Sequence, residues 1–374
     1  MKVLYVVNVD WFFISHRLPL AIEAKKRGYE VFVLAGDTGV GASLKSFDIT
    51  FIPWNISRSG TNFFKEIQAI AQLFKVFRHI KPQLVHNVGV KAVIYGSLAS
   101  QLFRKSYINA LAGMGFAFTA DTLKAQILRV IIKRFFVFIF KSKKSLLILQ
   151  NEDDKKWFLE NGYIDSSKLR LIKGSGVNLN DFKPVSEPIS FPPIVCLPSR
   201  MLWDKGIGEF IEAVRMLKSY DLENVRFVLA GGIDTENPAN ILQKQLQEWV
   251  SEGIVEWWGY QTDMPNLLSK VTIVVLPSYK EGLPKVLLEA SAIGRAIITT
   301  DVVGCREIIK NDYNGILVPP QNAVALAKAI SKLLFDSELR KKYIENGFAS
   351  VKHNFTIEIV TEQTFILYDE LCTV

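Results

Sequence analysis

The sequence predicts an α/β protein of two doubly wound, Rossmann-like domains, and three observations carry that prediction. Short β-branched runs alternate with helical periodicity from end to end. The 374 residues exceed one ordinary core, and a hydrophobic content of 49% excludes a disordered chain. A polar, turn-rich stretch after Asn178-Leu-Asn-Asp-Phe182, carrying Pro184, Pro188, Pro192 and Pro193, reads as an interdomain linker.

The first domain, residues 1–186, takes strands near 2–8, 30–35, 49–53, 83–87, 106–111 and 145–150, with helical patterns between them. Its opening run, Met1-Lys-Val-Leu-Tyr-Val-Val-Asn8, lacks the charged leader and cleavage site of a signal peptide and reads as a buried strand. A cytoplasmic location is therefore expected. The second domain, residues 187–355, takes strands near 194–199, 225–230, 254–258, 271–276, 295–299 and 315–318. Thr356 to Leu371 returns to helical spacing. Cys196, Cys305 and Cys372 are few, odd in number and without metal-ligand spacing, which fits a reducing compartment and no disulfide framework.

The net charge of +8 is concentrated. Between Thr122 and Asn151 there is no Asp or Glu, whereas Lys124, Arg129, Lys133, Arg134, Lys141, Lys143 and Lys144 supply seven positive charges. Ile127, Leu128, Val130 to Ile132 and Phe135 to Phe140 interleave with them, a pattern too interrupted for a transmembrane helix. Residues 124–144 are expected to lie on an anionic membrane surface, peripheral to the inner face of the plasma membrane; a core helix with a solvated basic edge is the alternative. No nucleic-acid reader motif accompanies the charge, so no nucleic-acid partner is expected.

Chemistry concentrates in Pro277-Ser-Tyr-Lys-Glu281-Gly-Leu-Pro284-Lys285-Val-Leu-Leu-Glu289. The preceding run, Val271-Thr-Ile-Val-Val-Leu276, is apolar enough for a strand buried on both faces. Gly282 and Pro284 prevent one continuous helix from Lys280, and Pro284 suits a first helical position, where its missing N–H costs nothing. Glu281 then stands on a turn at the carboxyl end of a strand, the edge at which doubly wound sheets bind ligands. The N–H groups of Gly282, Leu283 and Lys285 suit a phosphate. Glu289, about a turn and a half into the helix, is placed to accept hydrogen bonds from ribose hydroxyls, and Glu281 from those of a transferred sugar. A capping acid plus a solvated glutamate is the plainer reading. Upstream, Ile194-Val-Cys-Leu-Pro-Ser199 precedes Arg200 and Lys205-Gly206. A planar fork and a mobile cation suit a departing diphosphate, with no metal or cofactor required, although two surface charges would look the same.

On these motifs, with Phe227-Val-Leu-Ala-Gly-Gly232 and Trp258-Gly-Tyr260, the chain resembles the retaining glycosyltransferases of family four, of GT-B fold. The likeness covers essentially its whole length. It implies two Rossmann-like domains facing a central cleft, with a carboxyl-terminal helix, about 356–374, packing back on the first. It further implies that Arg200 and Lys205 bind the donor diphosphate, that Glu289 binds the ribose, that Glu281 contacts the donor sugar, and that backbone near Tyr260 meets the base. Trp11-Phe-Phe-Ile-Ser-His16-Arg17-Leu-Pro-Leu20 and Gly113-Met-Gly115-Phe-Ala-Phe118-Thr119 resemble enzymes that extend sugars on a polyprenyl diphosphate. Many members place a histidine where this chain has Ala112 or a neighbour, which leaves His16 or backbone carbonyls as substitutes.

The expected function is therefore transfer of a hexosyl or N-acetylhexosaminyl group from a nucleotide sugar, first a UDP-linked one, to a polyprenyl-diphosphate-linked saccharide. GDP-mannose and other UDP-hexoses remain open. Retention would follow from front-face transfer, the departing phosphate taking the acceptor's proton. His16, expected at the start of a helix from Leu18 to Lys26 after a short aromatic loop, either bonds an acceptor hydroxyl or merely caps that helix or fills a pocket. Lys91 either holds the acceptor's diphosphate or is a solvated helix lysine. A non-hydrolysing sugar-nucleotide epimerase and a non-catalytic, membrane-docked nucleotide-sugar-binding protein are the alternatives. A nicotinamide dehydrogenase is disfavoured, because no strand is followed by G-x-G-x-x-G.

Overall fold

Both sheets are wholly parallel, as strands separated by helical crossovers must be. The structure, a computed structural model, describes residues 1–56, 63–111, 123–188, 192–219 and 224–372, with backbone only for 123–129. The Gly113–Thr119 motif and Ala112 lie outside the described residues, as do the side chains of Lys124 and Arg129.

The chain divides into two units, Met1–Ser175 with Ile357–Val374, and Gly176–Thr356. In the first, β1 (Lys2–Val7), β2 (Glu30–Ala35), β3 (Thr50–Pro53), β4 (Leu84–Val88), β5 (Ser106–Leu111), β6 (Ser145–Leu149) and β7 (Leu169–Leu171) form a sheet of order β3-β2-β1-β4-β5-β6-β7. Strand β7 was not expected; at three residues it is too short to show a period. The helix Ile357–Cys372 packs on this sheet, with Val360, Phe365, Leu367, Tyr368 and Leu371 in the same apolar cluster as Val3, Tyr5 and Val7.

In the second unit, β8 (Ile194–Pro198), β9 (Arg226–Ala230), β10 (Glu256–Trp257), β11 (Ile273–Leu276), β12 (Ala296–Thr300) and β13 (Ile316–Val318) take the order β10-β9-β8-β11-β12-β13. Strands β8, β11 and β12 are buried throughout, which is why their sequences lack alternation. Their two faces feed separate apolar clusters, Val195 and Ile273 into one, Cys196 and Val274 into the other.

The expected linker is not one. Val177 and Phe182 are buried in the second unit's core, the Val177 N–H donates to the Phe355 carbonyl at 2.9 Å, and Arg295 donates to the carbonyls of Val185 and Ser186. Glu187 pairs with Arg340 at 2.6 Å. The division at 175/176 thus precedes the expected 186/187 because tertiary partners more than a hundred residues away hold a polar, proline-rich segment against the second unit.

The helix Leu123–Phe140 buries Ile132, Phe136, Ile139 and Phe140 and exposes Val130, Ile131, Phe135 and Phe138 beside Lys133 and Arg134. No helix among the described residues is long and apolar enough to cross a membrane.

Candidate functional site

Strands β8 and β11 are neighbours whose successors run to opposite edges of the sheet, so the loops after them part at a topological switch point. The loop after β8 carries Arg200 and, on the turn Trp203–Lys205, the lysine; the loop after β11 carries Ser278, Glu281 and Gly282. Lys205 Nζ lies 2.6 Å from Glu281 Oε1, which also accepts the Ser278 hydroxyl at 2.7 Å. With side chains 15% and 13% exposed, the pair is mostly shielded from water, where charge-assisted hydrogen bonds are stronger than at the surface.

Close backbone approach makes that pair possible. Gly206 has φ +72°, and a Cβ there would lie 2.1 Å from the Pro277 carbonyl oxygen. The Tyr279 N–H donates to the Asp204 carbonyl at 2.9 Å, and its hydroxyl donates to Glu209 at 2.7 Å, so the two loops are stitched together. From β12, the Thr299 and Thr300 hydroxyls donate to the carbonyls of Leu276 and Ser278. Gly304, at φ +84°, lets the loop after β12 close on the Glu281-Gly282 turn; a Cβ would come within 2.4 Å of the Gly282 carbonyl oxygen.

Behind this turn starts the helix Lys285–Ile293. Pro284 precedes it at φ −72°, ψ 111°, one residue before the expected first helical position, because its extended ψ keeps it outside the helix. No side chain caps this end, so no capping group offsets the positive end of its dipole. Leu283 is buried beneath the turn. Glu289 is also buried, with Lys285 Nζ at 3.1 Å one turn earlier. Burial raises the Glu289 carboxyl above its ordinary range, and Lys285 opposes that rise.

The remaining expected residues are spread more widely. Arg200 is exposed and donates to Asp234, after β9, at 2.7 Å. Tyr260, following β10, is 77% exposed, which leaves its ring and adjoining backbone accessible. In the first unit, His16 ends a helix, Asp10–His16, rather than beginning Leu18–Lys26. The aromatic stretch folds as helix because Asp10 accepts N–H groups from Thr38 and Gly41 at 2.9 and 3.0 Å, anchoring its first turn. The His16 ring stacks on Phe12 with centroids 4.1 Å apart, and Nδ1 lies 2.6 Å from the Ser15 hydroxyl. Lys91 pairs with Glu66 at 2.6 Å, while Tyr95 donates to the other Glu66 oxygen.

The second unit alone therefore assembles Lys205, Glu281 and Gly282 at one crevice, with Glu289 behind and Arg200 on the same edge. Sequence reasoning missed Ser278, Asp234 and Gly304. Ser278 and Asp234 carry a usable signal, being polar residues within four positions of a strand's carboxyl end. Among the described residues, no group of three His, Cys, Asp or Glu side chains is arranged to hold a metal ion.

Residues 180–350 match the family described as glycosyl transferases group 1, and residues 2–151 match glycosyl transferase 4-like. A Campylobacter jejuni protein, N,N'-diacetylbacillosaminyl-diphospho-undecaprenol alpha-1,3-N-acetylgalactosaminyltransferase, is 32% identical over 95% of each chain. The chain belongs to the group 1, GT4-like glycosyltransferases. An Escherichia coli relative of this glycosyltransferase, UDP-Gal:alpha-D-GlcNAc-diphosphoundecaprenol alpha-1,3-galactosyltransferase, is 26% identical over 83% of this chain and 81% of its own. The crystal structure of a glycosyltransferase from Rickettsia africae superposes with a TM-score of 0.80 at 21% identity, covering 99% of this chain and 98% of that one, and fixes the fold as GT-B.

Proposed function

We propose that this glycosyltransferase moves a hexosyl or N-acetylhexosaminyl group from a UDP-linked donor to a saccharide carried on a polyprenyl diphosphate, during assembly of a surface polysaccharide or glycan. The observation that carries the reading is the shielded Lys205–Glu281 pair beside the uncapped start of the helix Lys285–Ile293, with Glu289 buried inside that helix. The names of the Campylobacter and Escherichia coli relatives, both acting on diphospho-undecaprenol-linked sugars, support the acceptor class.

In this reading the entering diphosphate draws Lys205 and Arg200 away from Glu281 and Asp234, trading one charge-assisted contact for another. Glu281, freed of its cation, accepts hydroxyls of the donor sugar. The backbone of Gly282 to Lys285 faces the phosphate with the positive end of the helix dipole. Glu289 accepts the ribose hydroxyls, and backbone beside Tyr260 meets the base. As the glycosidic bond breaks, charge grows on the leaving phosphate, where these donors tighten; that phosphate takes the proton of the attacking hydroxyl from the same face. Transfer retains the anomeric configuration and draws its charge stabilisation from side chains without a metal. His16 and Lys91 serve the acceptor. The exposed Val130, Ile131, Phe135 and Phe138, interleaved with Lys133 and Arg134, seat the first unit on an anionic membrane.

The test is a transfer assay with UDP-hexoses and UDP-N-acetylhexosamines on a synthetic polyprenyl-diphosphate saccharide, with the product anomer read by NMR and chelator added in parallel. Glu281→Ala should mainly lower turnover and Glu289→Ala should weaken nucleotide binding. Near-native activity in both variants would overturn the site assignment, and an inverted product would overturn front-face transfer.

A further inference from the structure

Ser278 lies just past the end of β11 and is fully buried. Its carbonyl accepts the Thr300 hydroxyl, and the Leu276 carbonyl accepts that of Thr299 at 2.7 Å, so two adjacent side chains of β12 clamp the backbone from which the loop departs. The Ser278 hydroxyl itself donates to Glu281 Oε1 at 2.7 Å, the length of a charge-assisted bond. Ser-x-x-Glu is also the spacing of a helix-capping box, but in that motif the hydroxyl accepts a backbone N–H and a helix begins at once. Here the hydroxyl donates to the carboxylate, and the helix begins only at Lys285. Capping therefore does not account for the pair.

The two donors on Glu281 Oε1 differ in what holds them there. Lys205 Nζ, at 2.6 Å, is a charge at the end of a flexible stem on another loop. Ser278 carries no charge that a phosphate could attract, and β12 fixes its position. Among the described residues no group donates to Oε2. In the transfer reaction proposed above, on which this inference rests, the entering diphosphate draws the ammonium away, and Glu281 loses its stronger restraint just as the sugar arrives. We infer that Ser278 is a positioning residue for that reaction: it keeps hold of Oε1 after Lys205 has moved and leaves Oε2 to accept the hydroxyls of the donor sugar. A carboxylate held at one oxygen meets the sugar without first losing the freedom of its three side-chain torsions, so the contact can tighten in the transition state. The Ser278 hydroxyl touches neither nucleotide nor sugar and acts through Glu281 alone.

The test is a double-mutant cycle on the full chain, with Ser278→Ala, Glu281→Ala and the two combined. Each variant is assayed for kcat and KM with the UDP-sugar that the wild type uses fastest and a synthetic polyprenyl-diphosphate saccharide, and for UDP binding by calorimetry. Ser278→Ala should lower kcat by about tenfold or more and leave the Kd for UDP within about twofold of wild type. In the Glu281→Ala background the same substitution should cost nothing further, because the group through which it acts is gone. Ser278→Cys, close in size and only a weak donor, gives the same readouts should Ser278→Ala fail to fold. A kcat within about twofold of wild type in Ser278→Ala, beside an impaired Glu281→Ala, would overturn this inference and leave the site assignment standing. Weakened UDP binding in Ser278→Ala, or losses that add in the double variant, would show a structural role and overturn it equally. Near-native turnover in Glu281→Ala would instead remove the site assignment itself, and Ser278 with it.

Discussion

Replacing Gly206 by alanine probes how far the site depends on the close approach of the Lys205 turn to the end of β11. A Cβ at Gly206 would lie 2.1 Å from the Pro277 carbonyl oxygen, against the 3.0 Å that real Cβ atoms keep, so the gap must open by 3.0 − 2.1 = 0.9 Å. That shift moves either Lys205, one residue away, or the Pro277-Ser278 turn that leads to Glu281. Their 2.6 Å contact cannot survive unchanged. Misplacing a positioned group by about 1 Å costs on the order of a hundredfold in rate, which is the loss expected in kcat/KM, with a matching weakening of UDP binding by calorimetry. The left-handed backbone adds roughly 1–2 kcal/mol of destabilisation for any residue with a Cβ. Gly253 separates the two effects. Its φ is +68° and nothing lies within 4 Å of its Cβ position, so Gly253→Ala carries the backbone strain without the clash. Both variants should lose stability, and Gly206→Ala alone should lose donor binding and transfer. Gly206→Ala activity within about twofold of wild type, or an equal loss in Gly253→Ala, would refute the argument.

Three further outcomes are expected. A double-mutant cycle of Lys205→Met and Glu281→Gln, followed by unfolding of the unliganded protein, should return a coupling of about 1.5–3 kcal/mol, the range for a charge-assisted hydrogen bond; a value near zero would mean the shielded contact contributes nothing. Burial raises the Glu289 carboxyl in the folded chain above its unfolded value, so the fold holds this proton where the unfolded chain has released it. Stability should therefore fall as pH rises from the ordinary glutamate range through the raised one, and Glu289→Gln should remove that fall; nucleotide affinity should rise over the same window as the carboxylate forms. Finally, Phe135→Ser combined with Phe138→Ser removes two exposed rings and should weaken binding to anionic vesicles by about tenfold or more in a flotation assay, with unchanged binding removing this face from the membrane contact.

What could be read from the chain differs between its segments for a physical reason. The loop after β11 was legible because its determinants are neighbours in sequence. A β-branched run ends at Pro277, Gly282 and Pro284 break the backbone, and apolar spacing resumes from Val286, so strand, turn and helix follow from local terms, and the switch-point rule then gives Glu281 a ligand-facing edge. The helix Asp10–His16 was not legible: Trp11, Phe12, Phe13 and Ile14 are indifferent helix formers, and what anchors its first turn is Asp10 accepting from Thr38 and Gly41, some thirty residues on. The same holds for Arg200, whose partner Asp234 follows a different strand, and for the segment after Gly176, whose prolines suggested a linker until Arg295 and Arg340 are seen to hold it. Residue types at strand ends thus indicate what a site can bind, whereas the partners that hold those residues at rest come from other strands. The Lys205–Glu281 pair joins two separately legible segments through a contact that neither contains, and this is why perturbing its geometry at Gly206 is more informative than deleting either charge.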